Sequence, residues 1–149
     1  MAVNTIDKLQ FLSFMLIVEP RSRAPTVTHV IPGDALVTGV TSLGDDMFVV
    51  RNDKSQQVVI YDAMSFTLQR RLSVPGLGYS FALAACASNK CLYASDFHND
   101  CIHRVELLGS NAVTKWSVGL CPAGLTVSSD KNVMAVSYTH LTLPTIYSV

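Results

Sequence analysis

The sequence predicts an all-β fold of repeated four-stranded antiparallel blades, a partial and incomplete β-propeller of about two and a half blades. Three observations carry that expectation. Residues 46–75 are matched without a gap by residues 90–119, a step of 44 positions from Met47 to Cys91, and a third copy opens near Ala123 and breaks off after Ala135. The runs 47–50 and 58–61 are apolar without alternation, as expected of strands buried on both faces. Turn-prone clusters, Gly44-Asp45-Asp46, Asn52-Asp53-Lys54-Ser55 and Ala63-Met64-Ser65, separate these runs at short intervals. A period of roughly 40 to 50 residues is the length of one propeller blade.

The elements follow in order. Residues 1–34 lie outside the repeat, as an N-terminal extension and linker. Its most apolar run, LQFLSFMLIV at 9–18, falls short of the ~20 residues a membrane helix needs, so no membrane span is expected. The run has the length of a signal-peptide core, but Asp7 precedes it and EPRSR follows it without a small-x-small cleavage site. A strand or short helix packed on the propeller, or the end of an upstream domain, accounts for it, with 20–28 as a polar linker. The first blade, 35–78, has strands at 36–42, 47–51, 57–62 and 68–74. The second, 79–120, repeats them at 81–87, 91–96, 101–107 and 113–118, and 121–135 opens a third. The first two copies stay in phase at Phe48 and Leu92, Val50 and Ala94, Val58 and Ile102, Leu72 and Trp116, and Val74 and Val118. Pro75-Gly76-Leu77-Gly78 and Gly119-Leu120-Cys121-Pro122 fall at the joints, where Gly and Pro supply a positive or a fixed φ.

These residues also carry a family resemblance. CLYASDFHNDCIHRVEL, 91–107, resembles the core of NHL-type propeller repeats, in which an apolar strand ending in Asp meets an Asn-containing turn and a second apolar strand; Asp96, Asn99 and Ile102 fall on that pattern. MFVVRNDKSQQVVIYD, 47–62, resembles the related YVTN type, and PAGLTVSSDKNVMAV, 122–136, resembles the blade opening of both. Neither copy ends its third strand in Trp-Asp, so the repeats are WD40-like without being strict WD repeats. The resemblance implies a non-enzymatic protein-interaction scaffold. Two alternatives stand beside it: a gluconolactonase-like metal-dependent hydrolase and an RNA-binding NHL propeller.

The C-terminal run VSYTHLTLPTIYSV, 136–149, abandons the repeat where the third copy should continue. It resembles translated sequencing-adapter sequence: GTC TCT TAT ACA CAT CTG ACG CTG CCG ACG encodes its residues from Val136 to Thr145 in order. Thr, Val, Ile and Tyr also favour strands, which gives a β-rich tail as the other reading. The segment is therefore kept out of the functional argument. A truncated propeller lacks its closing contacts and exposes sheet edges, so the chain on its own is expected to be aggregation-prone or partly unfolded.

Composition narrows the function classes. Hydrophobic residues make up 49% and charged residues 15%, too apolar for disorder. Lys plus Arg and Asp plus Glu each total 11, so no basic excess points to nucleic acid, and Arg51, Arg70 and Arg71 read as a solvated strand edge. The partner expected is protein. Cys86, Cys91, Cys101 and Cys121 form no CxxC pair and fit buried free thiols in an intracellular protein, with 86 and 91 flanking a turn and able to approach diagonally.

One polar cluster is dense enough to weigh: Asp96-Phe97-His98-Asn99-Asp100-Cys101-Ile102-His103. Asp, His and Cys can ligate a divalent ion. The same residues make a tight hairpin turn, in which Asx side chains bond local amides and Asn accepts a positive φ, with His98 in the turn and His103 on the returning strand. The turn reading needs only local bonds. No catalytic, cofactor or metal residue is assigned, and no cofactor is expected. Gluconolactonase-type propellers place a metal-binding Asn or Asp before the Gly of the blade-opening strand, whereas Phe81 precedes Ala82 here and Ala123 precedes Gly124. Loop contacts are expected in 52–56 and 97–100, above all at Phe97 and His98, because an exposed aromatic is a plausible interface anchor. Packing of Phe97 over the neighbouring turn is the competing expectation.

Overall fold

The computed structural model describes residues 14–19, 26–33, 35–119 and 121–137, with side chains from Thr26 onward. The chain divides into two units, Met1–Val37 and Thr38–Val149. In the first, β1 (Phe14–Glu19) and β2 (Thr26–Pro32) form an antiparallel hairpin that pairs Phe14 with Pro32 and Glu19 with Thr26, with an irregularity between Ile17 and Val18. The end of the apolar run is thus a strand, and residues 9–13 lie outside the described residues. Of the linker expected at 20–28, Thr26, Val27 and Thr28 lie in β2, and residues 20–25 lie outside the described residues. Two β-branched threonines and a valine suit a pleated strand better than a free connector.

In the second unit, β3 (Val37–Leu43), β4 (Asp46–Arg51), β5 (Gln57–Asp62) and β6 (Leu68–Ser73) make one four-stranded sheet in sequence order. A second sheet repeats the plan with β7 (Leu83–Cys86), β8 (Cys91–Asp96), β9 (Cys101–Glu106) and β10 (Val113–Ser117). A third begins with β11 (Pro122–Val127) and β12 (Val133–Ser137). The described strands are all antiparallel and do not close into a ring, as expected of a partial propeller. β12 carries Val136 and Ser137 in register with Gly124 and Pro122, and residues 138–149 lie outside the described residues.

Packing follows from the pleat. Successive residues of a strand point to opposite faces, and the middle strands bury both. On one face of the first sheet Phe48, Val50, Val58, Ile60 and Leu72 meet Leu83, Leu92, Ala94 and Val105 of the second in one buried apolar cluster. On the other face of the second sheet Cys86, Cys91, Tyr93 and Ile102 pack against Leu125, Val127 and Val133 of the third. β8 is buried along its whole length, which is why it shows no alternation in sequence. Adjacent sheets therefore pack face to face, the environment of a propeller blade.

The joints are built in two ways. Gly76 and Gly119 take the left-handed φ values of 81° and 70° that favour glycine. Gly78 does not; what it supplies is space, because a Cβ there would sit 2.8 Å from Asp96 Oδ1 and 3.0 Å from Asn99 Nδ2. Replacing Gly78 with alanine is expected to cost about 1–3 kcal/mol, the range for forcing extra volume into a filled site. Urea unfolding of Gly78→Ala beside Gly44→Ala separates the two causes, since Gly44 has a positive φ and open space around it.

Candidate functional site

The turn between β8 and β9 is where sequence and structure concentrate polar chemistry. The register sets Asp96 opposite Cys101 and Ala94 opposite His103, which places Asp96, Cys101 and His103 on one face of the hairpin as direct and diagonal neighbours. Asp96 and His103 are buried, at 0% and 1% exposure. A carboxylate out of water needs hydrogen-bond partners, and Asp96 has four. Its Oδ2 accepts from the Gly78 amide at 2.8 Å, from Asn99 Nδ2 at 2.8 Å and from His103 Nε2 at 2.9 Å. Its Oδ1 accepts from the Asn99 amide at 3.2 Å.

The electrostatics follow. Burial on its own would raise the Asp96 pKa, but the hydrogen bonds from the Asn99 side chain, the Gly78 amide, His103 and the Asn99 amide outweigh it and hold the carboxyl below its ordinary value. Asp96 is thus ionised near neutrality and His103 donates Nε2–H to it. Cys101 Sγ lies 3.5 Å from the same Nε2. Burial, together with the charge of Asp96, pushes the Cys101 thiol up, so it stays protonated.

The donor atoms of Asp96, Cys101 and His103 lie within 4.8 Å of one another, close enough to raise the question of a metal. The donor set does not fit one well. Asp96 Oδ2 already accepts three hydrogen bonds, one of them from His103 Nε2, so a metal would have to displace the contacts that hold the turn. The arrangement acts as a staple that ties the 97–100 turn and returning strand β9 to the 76–78 joint. The sequence reading of a tight Asx turn matches this geometry, with His98 in the turn and His103 on the returning strand, but it does not join His103 to Asp96. The signal was available: in a hairpin with a four-residue turn, positions 96 and 103 share a face. The positive φ falls on Asp100, at 51°, and not on Asn99.

Phe97 and His98 sit on top of that staple. The Phe97 amide donates to the Tyr79 carbonyl at 2.9 Å. The Phe97 ring meets Phe81 edge-on at 5.2 Å, and His98 lies 4.4 Å from Tyr79 and 5.9 Å from Phe97. The four rings form a row; Phe97 is half-buried, while His98 and Phe81 are exposed. The corresponding turn of the first sheet, 52–56, carries no aromatic residue. It is shaped by positive φ at Lys54 and Gln56, by the Ser55 amide donating to Asp53 Oδ1 at 3.0 Å, and by the Gly76 amide donating to Gln56 Oε1 at 3.1 Å. Cys86 and Cys91, expected to approach diagonally, stand directly opposite each other across β7 and β8, and both are free thiols.

The chain matches no family model and no curated protein. Its fold is shared with solved structures. Hydrazine synthase of Kuenenia stuttgartiensis superposes with a TM-score of 0.59 at 18% identity, over 68% of this chain and 29% of that one. Glutaminyl cyclase of Myxococcus xanthus gives 0.61 at 10% identity, over 84% and 60%. A chain of the mitotic checkpoint complex gives 0.60 at 13% identity, over 85% and 42%. The likeness is of propeller type and concerns the fold. This chain spans between 29% and 60% of the length of those structures. Two of the three are enzymes by name and the third is part of an assembly, so the fold leaves the activity open.

Proposed function

We propose that this chain is part of a larger, non-enzymatic β-propeller of NHL or YVTN type that serves as a protein-interaction scaffold, with Phe97 and His98 among its contact residues. One observation carries the reading: a row of four rings, Phe81, Phe97, His98 and Tyr79, stands at a turn fastened from below by a buried carboxylate that accepts four hydrogen bonds. Aromatic side chains held rigidly at a surface bind at low entropic cost. The hydrolase alternative finds less support. Phe81 and Ala123, at the positions where that class carries its metal ligands, offer no ligand atom, and the Asp96 cluster is engaged internally.

A photo-crosslinking amino acid placed at Phe97 of the complete protein, in cells that express it, is expected to give a discrete protein adduct that survives nuclease treatment. The same group at Met64, which is 80% exposed, serves as the control and gives none. An adduct lost on nuclease treatment would favour the RNA-binding alternative, and equal labelling at both positions would remove the assignment of this turn.

A further inference from the structure

Among the described residues, the buried side-chain polar atoms without a partner are His103 Nδ1 and Asn111 Oδ1. Both residues line one cleft of about 600 Å³, formed where β6 of the first blade faces β9 and β10 of the second. Leaving a buried polar atom unpaired costs free energy, so two of them in one cavity mark a place built for something to bind. With its Nε2–H donated to the Asp96 carboxylate, a neutral His103 ring presents Nδ1 as an acceptor. Asn111 Oδ1 is an acceptor too. The cleft thus asks for N–H or O–H donors at its floor.

Its rim asks for the opposite charge. Lys115 pairs with His103 across the β9–β10 ladder and Arg71 lines the opposing wall, with Ser73 and Thr114 between them. Both walls also end in outermost strands, β6 and β10, each of which has a strand neighbour on one side only. An edge strand offers main-chain donors and acceptors to an extended peptide.

We infer that this cleft binds the C-terminal end of a partner peptide, its free carboxylate met by Lys115 and Arg71 and its N–H groups by His103 Nδ1 and Asn111 Oδ1. A free amino acid has the same carboxylate and N–H chemistry, but a cleft of this size bounded by two sheet edges suits several residues of extended chain. The inference takes from the proposed function only the class of partner, and its readout is separate from crosslinking at Phe97.

The test is an array of N-acetylated tetrapeptides presented with free C-terminal carboxylates to the complete propeller, with the same array amidated at the C-terminus. A subset of free-carboxylate peptides is expected to bind and their amides to fail. Lys115→Gln and Asn111→Gly, the latter removing the side chain while accepting the φ of 54° at that position, are each expected to weaken binding by roughly tenfold, the scale of one lost charge-assisted or buried hydrogen bond. Equal binding of acids and amides, no effect of either substitution on peptides that bind, no binding by any peptide, or competition by free amino acids at equal concentration would each overturn the inference. Thermal melts of both variants, unchanged from the parent, exclude loss of fold as the cause.

Discussion

Replacing Asp96 with alanine is expected to destabilise the propeller by about 3–5 kcal/mol, the range for breaking a buried charged pair. The substitution strips acceptors from two backbone amides, Gly78 and Asn99, and from the Asn99 and His103 side chains at one stroke. The loss belongs to groups left unpaired in the interior as much as to the carboxylate itself. Asp96→Asn keeps the shape and removes the charge, so it should fall between the parent and Asp96→Ala.

The pH dependence has a definite sign. The Asp96 pKa is held down in the folded state, so its contribution is complete above the unfolded-state value near ~4 and is lost as pH falls through the lower folded value. The parent should therefore lose stability below about pH 4 more steeply than Asp96→Asn, in which the group cannot titrate. Asp62, half-buried at the end of β5 and also held low by hydrogen bonds from Ser65 and Met64, contributes in the same direction. Because it is present in both proteins, it cancels from their difference. Denaturant unfolding of the complete propeller between pH 3 and 7 supplies the comparison; parallel curves would dismiss the assignment.

The second large effect is expected at Phe48. Its ring is buried on the face of β4 that meets Leu83, Leu92 and Val105 of the next blade, so truncation opens a cavity at the joint between two sheets. Phe48→Ala should cost about 3–5 kcal/mol. Met64→Ala, at an exposed turn, should stay within about 0.5 kcal/mol. Blades stabilise one another through such faces, so the Phe48 variant should also raise amide exchange in β8 and β9, whose own residues are unchanged. Exchange confined to the first blade would mean that the sheets are energetically independent.

Much of this was legible in the sequence, and the reasons are local. β5 and β8 lie where their apolar runs placed them, at Gln57–Asp62 and Cys91–Asp96, because a strand buried on both faces has no polar register to confuse it. Edges were less secure. β7 begins at Leu83 and not at residue 81, because the Phe81 and Ala82 amides donate to the Ser95 hydroxyl, at 3.2 and 3.0 Å, where a ladder bond was expected. The Asx turn at 96–99 could be read from residue type. The staple below it could not be read that way, since it depends on Gly78, far away in sequence, approaching close enough to donate. The cleft was out of reach for the same reason: Arg71 and His103 lie in different repeats and meet only when the blades pack. No periodicity reports on that.

The claim on which the rest stands is that Asp96 fastens an aromatic turn rigidly to the blade. Amide hydrogen exchange of Gly78 and Asn99 tests it most directly, because both lie outside the strands and both donate to this carboxylate. Both are expected to exchange as slowly as the β8 and β9 ladder in the parent and at least tenfold faster in Asp96→Asn, about 1.4 kcal/mol of lost protection. Exchange of both amides in the parent at the rate of an exposed turn such as that at Lys54 would contradict it.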